Sequence, residues 1–279
     1  MKYVSFSIDN YHSIGALVDD VVMDVGVIAA SKPGPRWSPL RRLLADRGGD
    51  LRLSDDDLLG LPGFARRTVT IEPVVPDPFR IITARVRARD RHTGRMLGNY
   101  IDELTVSPQV PATQTGSGTT VRLTHGDRRF DDGGRLAVII GRTATNVSID
   151  AALSYVAGYC EFFANLASVG PVLVTPDEVG DLPAVRLPTH ATGTHHQDAD
   201  LPDFVWGIPQ LVSYTSSVMT LHPADIITVS SSSGTPHMRG IDNVSVELSK
   251  IGTLELDVDN LGKVVSPITQ ESGGPASSA

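Results

Sequence analysis

The run Leu136-Ala137-Val138-Ile139-Ile140 constrains this chain more than any other stretch. Consecutive apolar residues halted by Gly141 suit a strand covered on both faces. The segment after it predicts a helix, because Ser148 and Asp150 offer an N-cap and a favourable first-turn charge. Leu153, Val156, Cys160, Phe163 and Ala167 then recur at three- and four-residue spacing, which would bury one helix face. Just before the strand stands Asp131-Asp132-Gly133-Gly134-Arg135, a polar approach to an apolar core.

Upstream, residues 1–72 are expected to form a small β-rich domain. Tyr3 to Ser7 and Ile14 to Val18 would pair across a turn at Asp9-Asn10, with Val21 to Val25 as a third strand. Pro33-Gly34-Pro35 precedes a helix from Ser38 that buries Leu40, Leu43 and Leu44, and Ser54 caps an acidic first turn at Asp55-Asp56-Asp57. Pro73, Pro76 and Pro78 make a stiff linker into a larger domain, residues 73–262. The tail, residues 263–279, is too polar and too rich in small residues to pack and is expected to be disordered.

Within the larger domain, Ser107 to Thr120 reads as loop, and Pro171 to Thr175 as a short strand. Ala184 to Thr192 and His195-His196-Gln197 suggest a hairpin. Pro202-Asp203 opens a helix with Ile208, Leu211, Val212, Thr215, Val218 and Met219 on one side. Asp225 to Ser230 is a strand, and Val244 to Leu248 with Thr253 to Val258 form a final hairpin around Gly252.

A net charge of −8 argues against a nucleic-acid surface. Nothing approaches the ~18 consecutive apolar residues of a membrane span, and the first residues lack the apolar core of a secretory signal. A cytoplasmic protein with no membrane and no nucleic-acid partner is the expectation. The single cysteine, Cys160, cannot form an internal disulfide and reads as a packed thiol.

These landmarks together resemble the fumarylacetoacetate hydrolase family over nearly the whole chain. The opening MKYVSFSIDN with IGALVDDVVMDV is similar to that family's leading β-domain, and PVVPDPFRIIT to its linker. RFDDGGRLAVIIGR followed by SIDAALSYVAGY is similar to its signature block; VGPVLVTPDEV, GTHHQDADLPDF and IGTLELDV follow in the family's order. The resemblance implies a mostly β (α+β) fold, a β-roll catalytic domain with flanking helices behind a small N-terminal domain, and a homodimer. It also implies a divalent metal on three carboxylates, since hard cations prefer oxygen ligands. At the three family positions this chain carries Gly133, Arg135 and Ala164. A lysine-bearing family loop is missing between Ala164 and Val169, and the family's lid motif falls on Arg87 to Arg91 with His92 one step past the histidine's place. Gln197 matches the family pattern.

Replacing carboxylates by a guanidinium turns a cation site into one that attracts an anion, which a guanidinium can hold bidentately. Two placements of Arg135 remain open: lining such a pocket, or turning to solvent or to Asp131 or Asp132. The candidate catalytic residues are His92, His237 and Glu161. Candidate substrate contacts are Arg135, Arg91, Arg239, Gln197 and Ser231. No metal and no cofactor is expected, and the partner is a small anionic molecule. The expected function is metal-independent chemistry on a small or polyketide-like β-dicarbonyl or enol acid: isomerisation, decarboxylation, cyclisation or C–C cleavage. The alternatives are an inactive binding subunit and an ordinary magnesium-dependent hydrolase using Asp131 and Asp132.

Overall fold

The computed structural model describes residues 1–30, 37–85, 105–109, 114–122, 130–131, 134–163, 166–180, 186–191, 194–200, 207–230, 237–238 and 241–259. For residues 30, 85, 105–109, 130–131, 186–191, 194–200, 230, 237–238 and 241–242 the description covers the backbone only. The expected tail, 263–279, lies outside the described residues.

The leading region folds as its alternation demands. Strands β1 (Lys2–Ile8), β2 (Tyr11–Val18) and β3 (Val21–Asp24) pair antiparallel, with Asp9 and Asp19 at positive φ in the turns between them. After α1 (Gly26–Ala30), helix α2 (Pro39–Asp46) starts where Ser38 accepts from the Arg41 amide and proline takes the first position. It buries Leu40, Leu43 and Leu44 as expected. The short α3 (Asp55–Leu58) carries a reciprocal cap between Ser54 and Asp57. Strands β4 (Gly63–Ala65) and β5 (Thr70–Glu72) complete the region by pairing with β3 and β1.

Next come β6 (Ile81–Arg85), β7 (Thr105–Gln109), β8 (Thr119–Arg122), the short β9 (Phe130–Asp131) and the apolar β10 (Gly134–Ile140). The loop expected from Ser107 onwards is partly strand. Pro108 lies in β7, which ends its sheet and pairs only with β6 among the described strands, the edge setting in which proline is tolerated.

The largest departure from expectation follows Ser148. Only one turn of helix forms, α4 (Ile149–Ala152), with a 3₁₀ turn at Leu153–Tyr155. The chain then enters strand β11 (Val156–Phe163), every residue of which is buried. Helical spacing could not be diagnostic here, because a strand covered on both faces is apolar at every position. Gly158 lets the neighbouring strand approach closely: a Cβ there would sit 2.6 Å from both the Leu173 side chain and the Val174 carbonyl oxygen.

Strands β12 (Ser168–Val169) and β13 (Leu173–Val174) flank β11; α5 (Pro176–Val179) follows. Strands β14 (Arg186–Ala191) and β15 (Thr194–Asp200) form the expected hairpin. Helix α6 (Ile208–Val218) buries Ile208, Leu211, Val212 and Thr215, whereas Val218, expected on the buried side, is 56% exposed. Strand β16 (Ile226–Ser230), the short β17 (His237–Met238) and the hairpin β18 (Ile241–Leu248) with β19 (Gly252–Asp259) close the described chain.

Two sheets organise these strands. The larger runs β4-β3-β2-β1-β13-β11-β10-β16-β6-β7, so β1 joins the leading strands to the central ones through β13. The smaller runs β15-β14-β18-β19-β8. Leu136, Val138, Ile140 and Tyr159 share one core cluster; Ala137, Ile139, Cys160 and Phe162 share another on the opposite face. A third cluster joins Phe163 to Val244, Val246, Leu254 and Leu256 between the sheets. An ion pair fixes the start of β16: Asp225, fully buried, accepts from Arg80 Nη2 at 2.8 Å and from the His222 amide at 2.7 Å.

Candidate functional site

Strands β10 and β11 set the geometry through their register: Arg135 stands opposite Phe162, and Leu136 opposite Glu161. Since alternate residues share a face, Arg135 belongs with Ala137 and Phe162, and Glu161 with Leu136, Tyr159 and Phe163. The two candidate charges therefore lie on opposite sides of one strand pair.

Arg135 is half-buried at the opening end of β10. Its Nη1 donates to Thr83 Oγ1 at 3.3 Å, and Thr228 Oγ1 donates to the same oxygen at 3.4 Å. Thr83 and Thr228 are buried and paired in register on the parallel strands β6 and β16. The guanidinium thus points across the sheet toward a pair of hydroxyls. Neither threonine was singled out from the sequence. The available signal was a lone hydroxyl within each of two otherwise apolar strands, Ile81-Ile82-Thr83-Ala84 and Ile226-Ile227-Thr228-Val229.

The backbone brings a second candidate to the same end. Strand β9 pairs with β17 so that His237 stands opposite Asp131, three residues ahead of Gly134 where β10 begins. Gln197 stands opposite Thr189 on β14, and His195 opposite His190. The ladder shifts between these two pairs, a bulge at His196 that interrupts the strict alternation expected for the two histidines. His92, Arg91, Arg239 and Ser231 lie outside the described residues, as do Asp132, Gly133 and Ala164.

Glu161 is not on a helix, as the spacing had suggested, but in the interior of the sandwich. It is fully buried, and among the described residues neither carboxylate oxygen has a hydrogen-bonding side-chain partner. Burial pushes its carboxyl up to about 8, so it is chiefly neutral at pH 7. Cys160, pointing the other way, is a packed thiol whose ionisation burial and the neighbouring Glu161 charge both oppose.

At the three positions where the resemblance implies metal-holding carboxylates, the side chains of this chain do not suit a divalent cation. Gly133 and Ala164 carry no donor atom, and a guanidinium offers no lone pair and a like charge. Among the described residues no group of three or more His, Cys, Asp or Glu side chains is arranged to hold a metal. A cavity of about 370 Å³ opens at the far end of β10, between Gly49 and Asp50 on one wall and Arg142 and Ser154 on the other. At 3.3–3.4 Å per residue it lies roughly 20 Å along the strand from Arg135, so it is separate from this site. Among the described residues no helix is long and apolar enough to cross a membrane.

Comparison with known proteins places this geometry. The profile of the family described as fumarylacetoacetate (FAA) hydrolase, C-terminal, matches residues 99–163 and 160–259. Maleylpyruvate hydrolase of Aquipseudomonas alcaligenes is 28% identical over 284 residues, covering 89% of this chain and 97% of that protein. A 2,4-didehydro-3-deoxy-L-rhamnonate hydrolase of a Sphingomonas strain is 32% identical over 160 residues, half of this chain and 54% of its own. Among solved structures, maleylpyruvate hydrolase from Sphingobium sp. SYK-6, in complex with manganese(II) and pyruvate, superimposes with a TM-score of 0.76. It covers 93% of this chain and 99% of that one at 23% identity, a likeness of fold.

Proposed function

This chain belongs to the fumarylacetoacetate hydrolase family, and we propose that it acts on a small β-dicarbonyl or enol acid without a metal. The observation that carries the reading is Arg135. Its guanidinium is hydrogen-bonded into a buried hydroxyl pair beside the strand end, at a position where the family resemblance implies a carboxylate. A guanidinium there holds the substrate carboxylate through charge-assisted hydrogen bonds. Its positive charge also stabilises negative charge that develops on an adjacent enolate oxygen, a part otherwise left to a Lewis acid.

Proton transfer falls to a histidine. We assign it to His237, whose backbone pairs with Asp131 across β17 and β9, three residues ahead of the start of β10. His92, Arg91, Arg239, Gln197 and Ser231 remain proposed contacts on the family pattern. Glu161 faces away from Arg135 and takes no part in this reading. The reaction classes that fit are those passing through an enol or enolate: isomerisation, decarboxylation, cyclisation or C–C cleavage.

A second reading, metal-dependent hydrolysis, is favoured by the names of the relatives, which are hydrolases, and by the manganese-bound neighbour. Turnover of a panel of acylpyruvates and β-keto acids, followed in metal-free buffer and again with manganese, separates the two. The proposal expects equal rates in both buffers and loss of turnover in His237→Ala. Activity that appears only with manganese would overturn it. Stoichiometric acid binding without turnover of any panel member would point to the inactive binding subunit.

A further inference from the structure

The carboxyl that this reading leaves unused is an exceptional group. Glu161 has no exposed surface, and among the described residues no side chain hydrogen-bonds its Oε1 or Oε2. It faces the smaller sheet at the tip of the β18–β19 hairpin. A Cβ on Gly252, the first residue of β19, would come within 3.1 Å of Oε1, so the carboxyl occupies the space a side chain at the tip would need. The adjoining residues seat the same tip: Ile251 is buried in the main core cluster, and Lys250 Nζ donates to the Val179 carbonyl at 3.4 Å.

No compensating charge faces the carboxyl among the described side chains. From β10 it meets Leu136, its cross-strand partner. On the hairpin, Glu247, Glu255 and Asp257 are exposed, and Asp259 pairs with Arg122 at the far end. On α5, Asp177 and Glu178 are exposed, the latter bound to the N-terminal ammonium. On β12, the Ser168 hydroxyl donates to the Thr115 carbonyl. On β14, His190 stands in register with Ser245, a neighbour of the inward-facing Val244 and Val246.

We propose that Glu161 is a proton-operated latch between the two sheets. While neutral, it lets the β18–β19 tip lie directly on β11. When its proton passes to a solvent base, the resulting carboxylate is fully buried with no partner side chain among the described residues, and it drives the tip off. Burial holds the carboxyl protonated up to about pH 8, so release belongs to mildly alkaline conditions rather than to the acid range of an ordinary glutamate. The consequence reaches further than the hairpin. Strand β18 also pairs with β14, and β14 with β15, so the latched sheet carries His195, His196 and Gln197. Unseating its tip loosens those residues relative to the larger sheet. The inference does not rest on the metal-free reading of the Arg135 site.

Hydrogen–deuterium exchange of the intact chain, corrected for intrinsic rates and compared between pH 6 and pH 9, tests it. The peptide spanning residues 248–254 is expected to exchange about ten-fold faster at pH 9, and this ratio is expected to fall to about one in Glu161→Gln, which keeps the shape but cannot ionise. Acceleration of the same size in Glu161→Gln would overturn the proposal. A carboxyl ¹³C titration of the unmodified protein decides the matter even if that variant fails to fold. A Glu161 midpoint near 8 supports the latch, and one in the ordinary range near 4 defeats it.

Discussion

Arg135 and Glu161 sit one residue out of register on the same pair of strands, yet the two faces treat their charges in opposite ways. On one face a guanidinium is half-exposed, hydrogen-bonded to Thr83 and free of the cost of full burial. On the other a carboxyl is sealed among apolar side chains with nothing to pair with, and it stays neutral instead. The difference teaches which charge is available for chemistry. A group that must meet a substrate keeps its charge and its solvent; a group that has lost both can only report protonation to the packing around it.

The sharpest way to break this contrast is through pH. The buried carboxyl titrates near 8 in the folded chain against 4.5 as the ordinary value, so the folded state holds a proton that the unfolded state releases. Stability from this group is complete below about pH 4.5 and declines as pH rises toward 8, by of order 5 kcal/mol in all. Denaturant midpoints across this range should fall in the wild-type chain and fall much less in Glu161→Gln. Equal slopes would mean that the carboxyl is not the group responsible.

On the opposite face, Arg135→Gln should weaken binding of a small carboxylate by about 2 kcal/mol, roughly thirty-fold, while leaving the pH dependence of stability unchanged. Calorimetric titration with the same acid reads the first, and the denaturant series the second. If Arg135→Gln instead flattened the pH profile, the two faces would be coupled and the contrast would fail. A smaller effect is expected from Thr83→Val, which removes the hydroxyl that receives Arg135. About 1 kcal/mol of acid affinity should go, through looser positioning of the guanidinium. No change at all would show that Thr83 does not orient it.

The same strand pair also marks where the sequence was legible. The apolar run ending at Gly141, the cap at Ser38 and the hairpin around Gly252 each rest on local chemistry, and each appears in the structure. The stretch from Val156 to Phe163 was misread as helix because its burial is complete, and complete burial erases the difference between a period of two and one of 3.6. Gly158 and the aromatic pair Phe162-Phe163 were the warning, since glycine weakens a helix interior by about 1 kcal/mol and aromatic residues favour strands. That misreading also hid the site's geometry. On a helix, Glu161 could have turned toward Arg135; on a strand one register step away, it cannot. The hydroxyl pair went unnoticed for another reason. Thr83 and Thr228 are brought together by a parallel pairing across 145 residues, which no local pattern records.

The account depends on a guanidinium having taken the place of a bound cation. The most direct test is calorimetric titration of pyruvate, the acid found with manganese in the Sphingobium neighbour, into protein stripped with EDTA. Saturable binding that is indifferent to added manganese and weakened in Arg135→Gln is the predicted result. Binding that appears only when manganese is restored, and that survives Arg135→Gln, would contradict it.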